Sequence, residues 1–280
     1  MIFIGQILFI KYHGRSMKSL LQFLTLSVGL VVFSYNACFG FDLNCERCST
    51  NVQINSQQSI YLEKRGAKGP VIIFEAGWGY GVSTWEKIIP AVSTFAKTIT
   101  YDRIGVGRSS KSKDSVSLYL ASDSVERLRK VLQKLNVPKP YVLVGHSLGG
   151  LFVQYFARNF PAEVAGLVLV DSSTPNEPRI NSPFKPSVPT PQTFKDGYQK
   201  SLDLVTNSPP MPNIPLIVLT SNKHTENWPY EDQWFKLQTE IAKSSKQGRQ
   251  ILADGSGHFI HEDQPKLVIE AIRSLLTSKN

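Results

Sequence analysis

Short runs of apolar and β-branched residues alternate with amphipathic stretches along most of this 280-residue chain. Val71–Phe74, Thr98–Tyr101, Tyr141–Val144, Val164–Val170 and Pro215–Thr220 are too short for helices and too apolar for one-sided strands. They predict buried parallel strands. Gln250–Ala253 predicts a short last strand, and Val52–Leu62 an antiparallel hairpin or edge at the start. Between them, Val125, Leu128, Val131, Leu132 and Leu135 recur at spacings of three and four, which predicts a core-facing helix over 122–136. Trp234, Leu237 and Ile241 repeat that spacing. Leu267, Val268, Ala271, Ile272, Leu275 and Leu276 predict a terminal helix opened by Asp263 and Pro265. The expectation is an α/β fold: a mostly parallel central sheet flanked by helices.

The rhythm fails twice. Residues 172–215 hold ten of the 17 prolines, which excludes a regular strand–helix unit there. Phe194, Tyr198, Leu202 and Val205 nevertheless share one helical face, so a short lid containing one helix is expected, inserted after a strand tip and lining an apolar pocket. Residues 1–40 carry Met17-Lys18, an apolar run over 20–33 and the small-residue end Cys38-Phe39-Gly40, the pattern of a secretory signal peptide. The expectation is export, to the periplasm or the medium, with one domain over 41–280. An uncleaved membrane anchor over 20–39 is the alternative, although Gln22, Thr25, Ser27, Ser34 and Asn36 dilute that run.

Net charge is +9 for the whole chain. The first 40 residues hold three bases and no acids, which leaves +6 for the rest. The lysines are scattered rather than clustered, which argues against a nucleic-acid partner and is compatible with peripheral contact with anionic membrane surfaces. Beyond the leader, Cys45 and Cys48 stand without a second ligand pair, so zinc is not expected and a local disulfide is.

Candidate chemistry concentrates at Tyr141-Val142-Leu143-Val144-Gly145-His146-Ser147-Leu148-Gly149-Gly150. An apolar strand ends at Gly-His-Ser-Leu-Gly and a helical pattern (Leu151, Phe152, Tyr155, Phe156) begins at once. A sharp strand-to-helix turn strains the serine backbone, admits only small neighbours at Gly145 and Gly149, and aims helix N–H groups at the hydroxyl. With Phe74-Glu75-Ala76-Gly77-Trp78-Gly79, Tyr101-Asp102-Arg103-Ile104-Gly105 and Gly255-Ser256-Gly257-His258-Phe259, in that order, the chain resembles the α/β-hydrolase superfamily over about residues 52–278. The branch it resembles holds esterases, lactonases and aminopeptidase-like enzymes with a small lid.

That resemblance implies Ser147 as nucleophile and His258, after the last strand, as its base. It implies an oxyanion hole from the backbone N–H groups of Leu148 and of Trp78, although this chain has Ala76-Gly77 where relatives often carry His-Gly. Tyr101-Asp102-Arg103 reads as structural, His146 as a packing residue and His261 as solvated. The acid stays open. Most relatives place it after the strand ending at Thr220, where Glu226 is the one carboxylate; Asp171, at the tip of the preceding strand, is the other candidate, and Asp254 a remaining one. The function expected is hydrolysis of a small-molecule carboxylic ester, thioester, lactone or small amide through an acyl-enzyme, without metal or organic cofactor. The alternative is a catalytically silent hydrolase-fold protein that binds a ligand or partner.

Overall fold

Strands β1 (Arg47–Gln53), β2 (Ser59–Arg65), β3 (Val71–Glu75), β4 (Lys97–Tyr101), β5 (Tyr141–His146), β6 (Val164–Val170), β7 (Leu216–Ser221) and β8 (Gly248–Ala253) form one sheet in the order β1-β2-β4-β3-β5-β6-β7-β8. The structure, a computed structural model, describes residues 42–113, 115–177, 190–224 and 230–277. The leader and anchor readings of residues 1–40, the middle of the proline-rich segment and Glu226 lie outside the described residues. Among those described, no helix is long and apolar enough to cross a membrane.

β1 and β2 are an antiparallel hairpin, and β2 meets β4 antiparallel. All pairings from β4 through β3, β5, β6 and β7 to β8 are parallel. The chain runs from β3 outward to β4, then returns to place β5 on the other side of β3. That reversal opens a crevice at the carboxyl ends of β3 and β5, where open α/β sheets bind ligands.

Five longer helices cover the sheet: α1 (Ala121–Lys134), α2 (Leu148–Asn159), α3 (Gln192–Thr206), α4 (Glu231–Lys243) and α5 (Pro265–Thr277). Strand residues alternate between two buried clusters. Tyr141 and Leu143 of β5, Leu167 and Leu169 of β6, and Leu216 and Val218 of β7 pack with α1, α2, α3 and α4. Val142, Val144, Val168, Val170, Ile217 and Leu219 point to the other face, against Trp85, the helical turn Ile89–Val92 and α5. Uninterrupted apolar strands therefore reflect a sheet covered on both sides. Cys45 and Cys48, at the start of β1, are joined by a disulfide.

The helix expected within 172–215 is α3. Its Tyr198, Leu202 and Val205 are buried in the first cluster, so this face is core, and the expectation that it lines an open apolar pocket is corrected. Phe194 is half-buried and stacks on Trp78, in the turn after β3.

Burial on both faces predicts a sharp contrast. Leu143 is fully enclosed in β5. Its change to Ala should cost about 3 kcal/mol. Leu252 lies on the edge strand and is 43% exposed. Its change to Ala should cost about 0.5 kcal/mol or less. Urea unfolding of the two variants checks this; equal losses would contradict the layer assignment.

Candidate active site

The carboxyl edge of the sheet gathers the chemistry. Ser147 occupies the single position between β5 and α2, with φ 53° and ψ -124°. A serine adopts such a positive φ only under constraint. The constraint is close packing. A Cβ on Gly145 would stand 2.7 Å from Gly150 Cα, and one on Gly149 would stand 2.4 Å from the carbonyl oxygens of Glu75 and Ala76. The first turn of α2 is thus wedged against the end of β3. Ser147 N–H donates to the Val170 carbonyl (3.2 Å), and Ser173 N–H donates to the Ser147 carbonyl (3.0 Å). These bonds fix the serine between β3 and β6.

The turn after β3 supplies the facing wall. A Cβ on Gly77 would lie 2.9 Å from His146 Nδ1 and 3.4 Å from Ser147 Cβ, so this turn lies directly against the serine. Arg103, buried, donates to Glu75 Oε1 and to the carbonyls of Ala76 and Gly77, while the Tyr101 hydroxyl donates to Glu75 Oε2. Asp102 accepts from Val82 N–H and Arg108 N–H, both at 2.8 Å. The turn's carbonyls are thus held by a guanidinium. Burial pushes the Glu75 carboxyl up to about 7, against the pull of Arg103. Trp78 stacks on Phe194 at 4.2 Å, and Phe194 on Tyr198 at 5.7 Å. Leu148 opens α2, so its N–H has no acceptor within the helix.

Asp171 follows β6 and is fully buried, with φ 43°. Its Oδ2 accepts from His258 Nδ1 (2.6 Å) and His224 Nε2 (2.8 Å). Its Oδ1 accepts from Trp234 Nε1 (2.9 Å) and Ser221 N–H (3.0 Å). Burial alone would push this carboxyl up; the hydrogen bonds and charge of the two histidines outweigh it and hold Asp171 well below the usual carboxylate range. Of the expected acids, Asp171 is therefore the one bonded to His258. Glu226 lies outside the described residues, and Asp254 is bonded instead to the Asn222 side-chain amide. Among the described residues no hydrogen bond joins His258 to Ser147. Such bonds commonly tighten only when substrate is bound.

His146 neighbours both. Its ring lies 4.7 Å from that of His258 and donates from Nε2 to the His258 carbonyl (3.0 Å). His261 is corrected: it is 1% exposed, not solvated, and packs on Trp85 and His146. The helical turn Ile260–Asp263 folds it under the sheet edge. Burial, with the nearby His258, pushes His261 down to about 4, and burial with His258 and His261 pushes His146 well below its ordinary value.

His224 is a residue that the sequence alone does not single out. In the loop after β7 the sequence offers Glu226 as the alternative acid to Asp171, and the structure brings a second histidine from that loop to Asp171. Its place at a strand's carboxyl end, seven residues before Glu231 at the start of α4, is the available signal. Asp171, His224 and His258 present donor atoms within 4.8 Å of one another. Nitrogen and oxygen ligands of a tetrahedral zinc ion stand about 3.3 Å apart. The contacts of Asp171 with the two rings, at 2.6 Å and 2.8 Å, are shorter. They fit a hydrogen-bonded cluster better than a metal shell.

A family description, alpha/beta hydrolase fold, matches residues 69–207. The chain is 30% identical over 219 residues to the uncharacterized protein YqjL of Bacillus subtilis, covering 75% of this chain and 84% of that one. It is similar in fold to a thermophilic esterase from Thermogutta terrifontis (TM-score 0.60, 19% identity, 84% of this chain and 99% of that one). It is also similar to the epoxide hydrolase CorEH (TM-score 0.62, 17% identity, 84% and 100%). The chain belongs to the α/β-hydrolase fold family, and its neighbours support a hydrolase in general terms.

The buried neutral histidines predict acid sensitivity. An unfolded histidine binds its proton near pH 6.5, whereas folded His261 binds it only at about 4. Unfolding therefore takes up a proton across that interval, and stability falls as pH drops through it, by about 3 kcal/mol for this residue. Thermal melts between about pH 4 and 7 should show a shallower decline for His261→Gln than for wild type. Parallel curves would contradict the assignment.

Proposed function

We propose that the protein is a serine hydrolase that cleaves a carboxylic ester, thioester, lactone or small amide through an acyl-enzyme. The observation that carries this reading is the 2.6 Å bond from His258 Nδ1 to buried Asp171, beside a serine strained into the turn between β5 and α2. A histidine whose Nδ1 proton is held by a carboxylate presents Nε2 as a base. Ser147 Oγ then attacks the substrate carbonyl carbon as its proton passes to His258 Nε2. The carbonyl oxygen becomes an oxyanion, held by the N–H groups of Trp78 and Leu148 and by the α2 dipole. Collapse expels the alcohol, thiol or amine, which takes the proton from His258. Water, deprotonated by His258 Nε2, attacks the acyl carbon; the bond to Ser147 Oγ breaks, Ser147 takes the proton back from His258, and the carboxylic acid leaves. The family's fold hosts both esterases and epoxide hydrolases, so the nucleophile decides: epoxide hydrolases place a carboxylate where Ser147 stands.

Short acyl groups are the expected substrates, because Tyr198 and Leu202 are committed to the core and Phe194 is taken up in a stack on Trp78. Export, with a mature start near Phe41, belongs to the same proposal. It rests on the sequence of residues 1–40 alone, and intact-mass measurement of protein from the cell envelope tests it.

A fluorophosphonate probe should label the wild type and not Ser147→Ala; an unlabelled folded wild type would favour the silent binding protein. Asp171→Asn should cut turnover of p-nitrophenyl acetate by about 10⁴, because it presents the wrong hydrogen-bonding group to His258. Glu226→Gln should cost little. The reverse ranking would move the acid to the loop after β7.

A further inference from the structure

We propose that His224 is a protonated positioning residue that clamps Asp171 and sets the pH at which the catalytic dyad of His258 and Asp171 becomes active. The kinetic part of this inference rests on the serine-hydrolase reading; the protonation part does not.

Both ring nitrogens of His224 face carboxylates. Nε2 lies 2.8 Å from Asp171 Oδ2, and Nδ1 lies 2.9 Å from Glu231 Oε1. A carboxylate only accepts, and a neutral imidazole has one N–H, so only the imidazolium satisfies both contacts. Ser221 Oγ, 2.9 Å from Nε2, accommodates the same proton as a shared acceptor. Among the described residues, its neighbours are Asp171 from the end of β6, Ser221 from β7, Glu231 and the edge-on Trp234 ring from α4, and the His258 ring 6.0 Å away from the loop after β8. Burial pushes His224 down, but Asp171 and Glu231 outweigh burial and hold it up. Among the described residues, the carboxylates of Asp171 and Glu231 and the His224 cation thus stand together next to the base.

The consequence is electrostatic. While His224 carries its charge, a second positive charge on His258 is opposed, and Asp171 shares its negative charge between two donors. The two rings are centred 6.0 Å apart. At an effective dielectric constant of about 40 for a half-exposed ring, unit charges at that separation shift a protonation midpoint by about one pH unit. Removing the charge should therefore move the acid limb of kcat/KM to higher pH.

The test uses the full-length protein and p-nitrophenyl acetate. His224→Gln keeps an N–H donor for Asp171 and removes the charge. Its acid limb should rise by about one pH unit with KM nearly unchanged, while the melting temperature falls because a buried ion pair is lost. A limb that stays in place while kcat merely scales down would overturn the proposal, since a structural role alters amplitude and not midpoint. Nitrogen-15 shifts of the His224 ring in the wild type, assigned through the backbone, need no variant. Both nitrogens should still be protonated at about pH 6.5, the ordinary histidine midpoint, and a predominantly neutral tautomer there would overturn the proposal. Absence of wild-type turnover would strike the hydrolase reading alone, because the ring shifts still decide the protonation.

Discussion

The buried carboxylate of Asp171 is the constraint on which the site depends. An ion taken from water into a protein interior is costly unless every acceptor position is met. Here the four donors come from four places: the backbone of Ser221, the indole of Trp234 in α4, and the imidazoles of His224 and His258 in the loops after β7 and β8. Satisfying one charge therefore sets two loops and a helix in register. The half-exposed His258 gains its orientation from this bond and from its own carbonyl's contact with His146, not from burial.

A second constraint is backbone proximity at the reversal of strand order. The carbonyls at the end of β3 leave no space for a Cβ on Gly149, and α2 leaves none on Gly145. That packing sets Ser147 at positive φ and holds the Gly77–Trp78 turn against it. Arg103 is bonded to the carbonyls of Ala76 and Gly77 and so braces that turn. The strain at the serine is thereby supported from both neighbouring strands.

Most of the fold is legible in the sequence because its signals are local. Apolar runs mark the five parallel core strands to within a residue or two, and the spacing of Val125, Leu128 and Leu132 marks α1. The β1–β2 hairpin and α3 are likewise visible. What escapes is tertiary. The face of α3 is periodic as expected, but periodicity does not say whether an apolar face meets a substrate or the core, and Tyr198 and Leu202 meet the core. His261 looks solvated among Glu262 and Asp263, yet a four-residue helical turn folds it inward beside His146. The contact of Asp171 with His258 spans 87 positions and that with His224 spans 53, separations at which no spacing rule operates.

The most direct test of the central claim is a crystal structure of the protein inactivated by a small fluorophosphonate. The account predicts phosphorus bonded to Ser147 Oγ, a phosphoryl oxygen about 2.7–3.1 Å from the backbone nitrogens of both Trp78 and Leu148, and His258 Nδ1 still on Asp171 Oδ2. An adduct on another residue, or a His258 ring turned to a different carboxylate, would contradict it.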